Sequence, residues 1–157
     1  LIQTEYSILG INVNNCEVME SNVESIARMP VPTVNGSTPV SKIASIMVKN
    51  NIGAVIVVKM DEPVGIVTEK DIINRIIESK KDADDIIAEQ VMTSPLITIS
   101  YDRTVKEAFE IMRSNNVRRL VVLKGKKIVG LLTERRLLLV CFPEHKNELL
   151  QKSEKEI

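Results

Sequence analysis

The stretch Val64-Gly65-Ile66-Val67-Thr68-Glu69-Lys70-Asp71 reads as a short apolar strand that passes through a threonine into a charged helix start. The same pattern returns at Val129-Gly130-Leu131-Leu132-Thr133-Glu134-Arg135-Arg136. Working outward from this pair, Pro30–Arg75 aligns with Pro95–Val140 at a constant offset of 65 and without a gap. Identical residues include Thr33/Thr98, Val40/Val105, Met47/Met112, Asn50/Asn115, Asn51/Asn116, Val57/Val122, Gly65/Gly130 and Thr68/Thr133. Chance would give about 3 identities in such a window, given ordinary residue usage. Elsewhere one aliphatic replaces another, as in Ile52/Val117, Val55/Leu120 and Ile66/Leu131, which keeps burial while changing shape little.

Each copy carries the same local signals. An extended Pro-x-x-Thr stretch leads to a helix, for which Ser37 or Thr38 in the first copy and Asp102 in the second are the expected caps, with Pro39 in the first turn. Val40, Ile43, Ala44 and Met47, and likewise Val105, Ala108, Phe109 and Met112, repeat at helical spacing, so one face of each helix is expected to be buried. Asn50-Asn51 and Asn115-Asn116 close these helices. Two short apolar runs follow in each copy and read as hairpins: Ala54 to Val58 with Val64 to Val67, and Leu120 to Leu123 with Ile128 to Leu132. A further helix starts near Lys70 or Arg135. Ser21-x-x-Glu24 has capping-box spacing before a lead-in helix, and Asp84-Asp85 is placed to open its counterpart before Val91-Met92. The division expected is an N-terminal extension over 1–20, repeat 1 over 21–80, repeat 2 over 81–142 and a charged tail over 143–157.

Composition narrows the function. The chain has 157 residues, 44% of them hydrophobic, and a formal net charge of +0, which suits folded structure rather than disorder. No apolar run approaches the roughly 20 residues of a membrane span, so a protein of the cytoplasm with no membrane association is expected. Cys16 and Cys141 lack metal-ligand spacing and are expected as two reduced thiols. There is one histidine, His145, and no nucleophile elbow, metalloprotease or Walker-type motif, so no enzyme, no metal site and no catalytic cofactor are expected.

Charge is unevenly divided between the copies. From Arg103 to Val140 there are ten basic residues and three acidic ones, whereas Arg28 to Glu78 holds six and five, so an anion is expected to meet the second copy. Lys124, Lys126 and Lys127 fall in a hairpin turn and read as a solvated face. Arg118 and Arg119 stand between a helix end and a strand, where paired guanidinium groups suit phosphate or, alternatively, structural ion pairs. Thr68 and Asp71 admit two readings as well: a carboxylate that takes a vicinal diol, or an N-cap with its third helical residue. With four aromatic residues and no tryptophan, stacking on single-stranded nucleic acid is not expected.

Taken with Val91-Met92-Thr93 before Pro95, Asp102-x-Thr104-Val105 at a helix start, and Gly65-x-x-Thr68-x-x-Asp71 at the close of the unit, the repeat resembles a tandem pair of CBS (cystathionine-β-synthase) domains over residues 21 to 142. That resemblance implies an α/β (α+β) fold of two β-α-β-β-α repeats packed about a pseudo-twofold axis, with two clefts. It implies a stand-alone regulatory module that binds an adenosine compound, such as AMP, ADP, ATP or an S-adenosylmethionine derivative. It also implies a homodimer that acts on a regulated protein in trans. Carried over by motif, Thr68 and Asp71 would hold the ribose, Ile66, Thr98 and Val117 the base, and Arg118 and Arg119 the phosphates. The second cleft would combine Thr33, Ile52, Gly53 and Ala54 with Thr133, but Arg136 stands there in place of the acid, so one strong and one weak site are expected. The alternative is a ligand-free dimerisation or protein-interaction module.

Overall fold

A computed structural model describes residues 7, 8 and 11–149; the outer parts of the N-terminal extension and charged tail, residues 1–6, 9, 10 and 150–157, lie outside the described residues. A two-residue hairpin comes first, β1 (Ser7–Ile8) against β2 (Ile11–Asn12). The first repeat follows as β3 (Thr33–Asn35), α1 (Val40–Asn50), β4 (Ala54–Lys59), β5 (Glu62–Thr68) and α2 (Glu69–Ile72), the last running on through a π-helical turn, Ile73–Ile77. A short helix α3 (Ala88–Val91) leads to the second repeat, made of β6 (Thr98–Ser100), α4 (Val105–Asn115), β7 (Arg119–Lys124), β8 (Lys127–Thr133) and α5 (Glu134–Cys141). Each repeat is therefore β-α-β-β-α.

The sheet of each repeat has three strands of mixed direction. β3 runs parallel to β4 in the register Thr33 to Ile56, and β4 runs antiparallel to β5 with Ala54 opposite Thr68. β6 runs parallel to β7 with Thr98 opposite Val121, and β8 lies beyond β7. The parallel pairing requires a crossover, which α1 and α4 supply. The apolar stripes are buried as their spacing requires: Val40, Ile43 and Met47 on α1, and Val105, Ala108, Phe109 and Met112 on α4. Asn51 and Asn116 both take the left-handed conformation that ends these helices, with φ of 51° in each, a role asparagine fills more readily than most residues.

The compact units are not contiguous in sequence. One holds Pro30–Leu96 with Lys126–Ile128; the other joins the described residues up to Met29 to Ile97–Gly125 and to the described residues from Val129 onward. Each lead-in segment thus packs with the strands of the other repeat. Ile66 pairs with Thr93, and at the equivalent positions Leu131 pairs with Arg28. Pro39 pairs with Ile87, and Thr104 with Asn22. Glycine permits the approach at both places: a Cβ on Gly65 would stand 2.5 Å from Met92 Sδ, and one on Gly130 would stand 2.5 Å from Ala27 Cβ.

Several local expectations are corrected. The N-cap of α1 is Pro39, with no side-chain hydrogen bond, and that of α4 is Thr104, whose hydroxyl accepts from Glu107 N while Glu107 accepts from Thr104 N. Asp102 instead accepts from Ser100 Oγ at 2.6 Å, which holds its carboxyl below the usual range. Ser21 caps nothing: a 3-10 turn Val23–Ser25 begins after Asn22, whose segment is committed to backbone bonding with Arg103 and Thr104. The counterpart helix starts from Ile87 rather than from the two aspartates. The reduced thiols are also corrected, because Cys16 and Cys141 form a disulfide with Cα atoms 4.8 Å apart. A sequence separation of 125 hid a pairing made when the N-terminal extension folds back onto the end of α5.

Candidate functional site

Strand β5 delivers Thr68 to the start of α2, and α2 turns Asp71 back toward it. The Asp71 backbone N–H donates to Thr68 Oγ1 at 3.2 Å, while Asp71 Oδ2 accepts from Thr68 N at 2.9 Å and from Thr68 Oγ1 at 3.0 Å. The capping pair is therefore formed, and the carboxylate stands near the positive end of the helix. Its second oxygen, Oδ1, accepts from Thr93 Oγ1 at 3.1 Å and lies 3.7 Å from Arg75 Nη2. Arg75 also donates to the carbonyls of Val91 at 2.5 Å and Met92 at 2.8 Å. At 9% exposure, Asp71 is the only buried polar or charged side chain among the described residues. Thr93 was missed as its partner because its approach depends on the exchanged lead-in segment, whereas Arg75 was legible from its i,i+4 spacing to Asp71 and was not singled out.

Ile66, half-buried in β5, shares this unit with Thr68 and Asp71. Thr33 is exposed in β3, Ile52 and Gly53 are half-buried before β4, and Ala54 is buried as its first residue. Gly53 O accepts from Glu69 N at 3.1 Å, which ties the loop before β4 to the start of α2.

The other unit holds Thr98, Val117, Arg118, Arg119, Thr133 and Arg136. Val117 and Arg118 form the turn from α4 into β7, and Arg119 opens β7. Arg118 O accepts from Glu134 N at 2.9 Å, and the Arg118 guanidinium lies 3.9 Å from the Glu134 carboxylate. Burial pushes the Glu134 carboxyl up, and Arg118 opposes that shift. Sequence reasoning missed Glu134 because the same residue stands at both equivalent positions, and only the structure distinguishes the half-buried Glu134 from the exposed Glu69. Among the other basic residues, Lys124 lies over the Tyr101 ring at 4.7 Å and Arg103 pairs with Glu107 at 2.9 Å.

The second repeat handles its threonine differently. Thr133 Oγ1 accepts from Arg136 N at 3.1 Å, but no carboxylate follows, and Arg136 Nε donates to Ile26 O at 3.3 Å. Ile26 is equivalent to Val91, whose carbonyl Arg75 holds in the first repeat. An arginine thus clamps the lead-in segment in both units, from different positions on the closing helix.

A repeated α/β unit with a buried acidic cap in one copy and a basic residue at the same place in the other defines a tandem module of two related but unequal α/β domains. The CBS domain family matches residues 23–78 and 87–142, and the chain belongs to that family as a tandem pair. An uncharacterized protein of Methanopyrus kandleri is 34% identical over 121 residues, which is 76% of this chain and 62% of the relative. A second uncharacterized protein, from Methanocaldococcus jannaschii, is 31% identical over 84% of this chain, which spans 34% of that relative's length. Among solved structures, a CBS domain protein of Pyrobaculum aerophilum complexed with AMP is similar at 28% identity and a TM-score of 0.66, over 73% of this chain and 88% of that one. Among the described residues no helix is long and apolar enough to cross a membrane.

Proposed function

We propose that this chain binds an adenosine nucleotide as a regulatory ligand and signals through its dimer or partner state. The observation that carries this reading is Asp71, a buried carboxylate that accepts from two threonine hydroxyls and lies 3.7 Å from an arginine. A fully satisfied cap explains Oδ2, whereas Oδ1 holds the exposed Thr93 hydroxyl at the edge of the unit. A vicinal diol can take that place, exchanging one hydroxyl donor to the carboxylate for two. The AMP complex of the Pyrobaculum aerophilum protein supports an adenosine ligand.

In this reading Ile66, Thr68 and Asp71 serve the nucleoside, Thr98 and Val117 the base, and Arg118 and Arg119 the phosphates; the family resemblance carries the sharing of one ligand by the two sets. Thr33, Ile52, Gly53, Ala54, Thr133 and Arg136 form a weaker second set, because Arg136 offers no diol acceptor. The ligand shifts a population of states by its differential affinity for them. The protein works as a cytoplasmic homodimer on a regulated partner in trans, with no catalytic role, and its repeats divide at 21–80 and 81–142.

Calorimetric titration with AMP, ADP, ATP and S-adenosylmethionine, repeated on Asp71→Ala, tests the proposal. Saturable binding that the variant loses supports it. No binding by any of the four moves the function to a ligand-free interaction module, a reading favoured by the exposed Ile73 and Ile77 beyond α2.

A further inference from the structure

The two closing helices carry the same apolar positions and treat them in opposite ways. Ile73 and Ile77, past α2, are 54% and 66% exposed; their equivalents Leu138 and Phe142, in and just after α5, are 2% and 5% exposed. Unit by unit, the difference is the N-terminal extension. Val13 and Cys16 are buried in the same apolar cluster as Leu138, Cys141, Phe142 and Leu149. The first repeat has no such cover, so its closing helix leaves open the face that the extension occupies on α5.

What holds the extension there changes along its length. From Met19 onward it is bonded to α4 and the turn before it: Lys106 N donates to Met19 O at 3.0 Å, Val105 N to Ser21 O at 2.9 Å, and Val23 N to Arg103 O at 2.8 Å. Upstream, the hydrogen bonds among the described residues are local, such as Cys16 N to Val13 O at 3.2 Å and Asn14 N to Asn12 Oδ1 at 3.0 Å. Residues 12 to 18 are therefore kept on the helix by the burial of Val13 and Cys16, by Val18 packed against the same cluster, and by the disulfide.

We propose that Cys16–Cys141 is a reversible redox latch that closes this segment over Leu138 and Phe142. A cleft of about 390 Å³, lined in part by Asn15, Glu17, Cys141 and His145, opens beside Cys141, which is itself 8% exposed. The co-reactant is a dithiol. One of its thiolates attacks Cys141 sulfur, breaking the S–S bond and releasing Cys16 as the thiolate, which takes a proton. The second thiol of the reductant then displaces Cys141 from the mixed disulfide, so that two electrons and two protons end on the cysteines and the reductant leaves as a cyclic disulfide. Without the cross-link, the short segment has only Val13 and Cys16 buried, with Val18 partly so, to offset the entropy of its ordering.

Hydrogen-exchange mass spectrometry of the full chain, with and without dithiothreitol, tests this alongside a thiol count under denaturing conditions. Zero free thiols are expected before reduction and two after it. Exchange over residues 12–18 should then accelerate by about tenfold or more, with Phe142 also losing protection, while β4 and β5 stay unchanged. Cys16→Ser should show the fast pattern with or without reductant. Two free thiols after incubation with an oxidised dithiol overturn the proposal, as does a disulfide whose reduction leaves exchange over 12–18 unaltered. Acceleration that spreads equally to β4 and β5 also overturns it, since the bond then staples the whole fold rather than latching one segment.

Discussion

The Thr93 hydroxyl donates to Asp71 Oδ1 at 3.1 Å, so the acid expected to receive a ribose already holds a neutral donor in that place. Binding a diol there is an exchange, and its affinity is set by the difference between the two sets of hydrogen bonds. Asp71→Ala removes the charged acceptor and should weaken any nucleoside by about 1.5–3 kcal/mol. It also dissolves the capping box, at a cost of about 1 kcal/mol in stability. Thr93→Val keeps the cap and deletes the competitor, so adenosine should bind more tightly, by about 0.5–1.5 kcal/mol. Calorimetry on both variants checks the pair; weaker adenosine binding in Thr93→Val would place the threonine among the ligand's own partners.

A second exchange is expected at Arg118. Its guanidinium faces Glu134 at 3.9 Å, and burial has raised the pKa of that carboxyl above its ordinary 4.5. A phosphate that engages Arg118 withdraws the charge that was lowering it, so Glu134 takes up a proton on binding. Affinity for ADP should therefore fall as pH rises through the Glu134 pKa, and Glu134→Gln should flatten that dependence and tighten binding at neutral pH. Stability has the same sign. A raised folded-state pKa costs nothing below the unfolded value and costs progressively more as pH climbs through the folded one, so Glu134→Gln should match wild type near pH 4 and exceed it at pH 7. Arg119→Ala should hurt ATP more than adenosine, and equal losses would contradict a phosphate role. Titrations at two pH values, with adenosine as the uncharged control, separate these effects.

The 65-residue repeat made the fold legible, because identical residues at buried positions force the same strand and helix order twice. The helix ends at Asn50 and Asn115 were also readable, since a left-handed cap is a local demand. What stayed hidden is non-local. Nothing near Asp71 in sequence announces Thr93, which reaches it through the pairing of Ile66 with the exchanged lead-in segment. Ser21 lost its capping role to the same pairing at Asn22 and Thr104. Local spacing also missed the disulfide, whose two ends become neighbours only through the path of the N-terminal extension. Of the two readings left open for Thr68 and Asp71, the cap is formed through Oδ2, and the proposed diol reading turns on Oδ1, which accepts from Thr93.

The contrast between Asp71 and Arg136 bears on stoichiometry. Arg136 sits at the equivalent position but spends its Nε on the Ile26 carbonyl, 3.3 Å away, so there the residue that clamps the lead-in segment stands where the first repeat has its diol acceptor. One ligand per chain is expected at saturation. Arg136→Ala should lower stability by about 0.5–1.5 kcal/mol through the lost hydrogen bond, without changing the ligand count. Two equivalent sites per chain by calorimetry would remove the basis for assigning the nucleoside to Asp71.

The exchanged lead-in segments predict an unequal response of two identical-looking glycines. At Gly65 the first atoms a Cβ would meet belong to Met92, a side chain with rotatable bonds, although the Thr93 carbonyl stands 3.0 Å behind it. At Gly130 it would meet Ala27 Cβ at 2.5 Å, and alanine has no rotamer by which to yield. Relief there requires backbone movement against the hydrogen bonds that Arg28 and Leu131 exchange, both 3.0 Å. Gly130→Ala should therefore cost about 1–3 kcal/mol, as overpacking of a tight site does. The cause is separable from glycine's own backbone preferences by a double-mutant cycle with Ala27→Gly, which removes the opposing methyl. Most of the Gly130→Ala cost should vanish in that background, measured by urea denaturation; an undiminished cost would mean that the strand, and not the packing of the lead-in segment, requires glycine at this position.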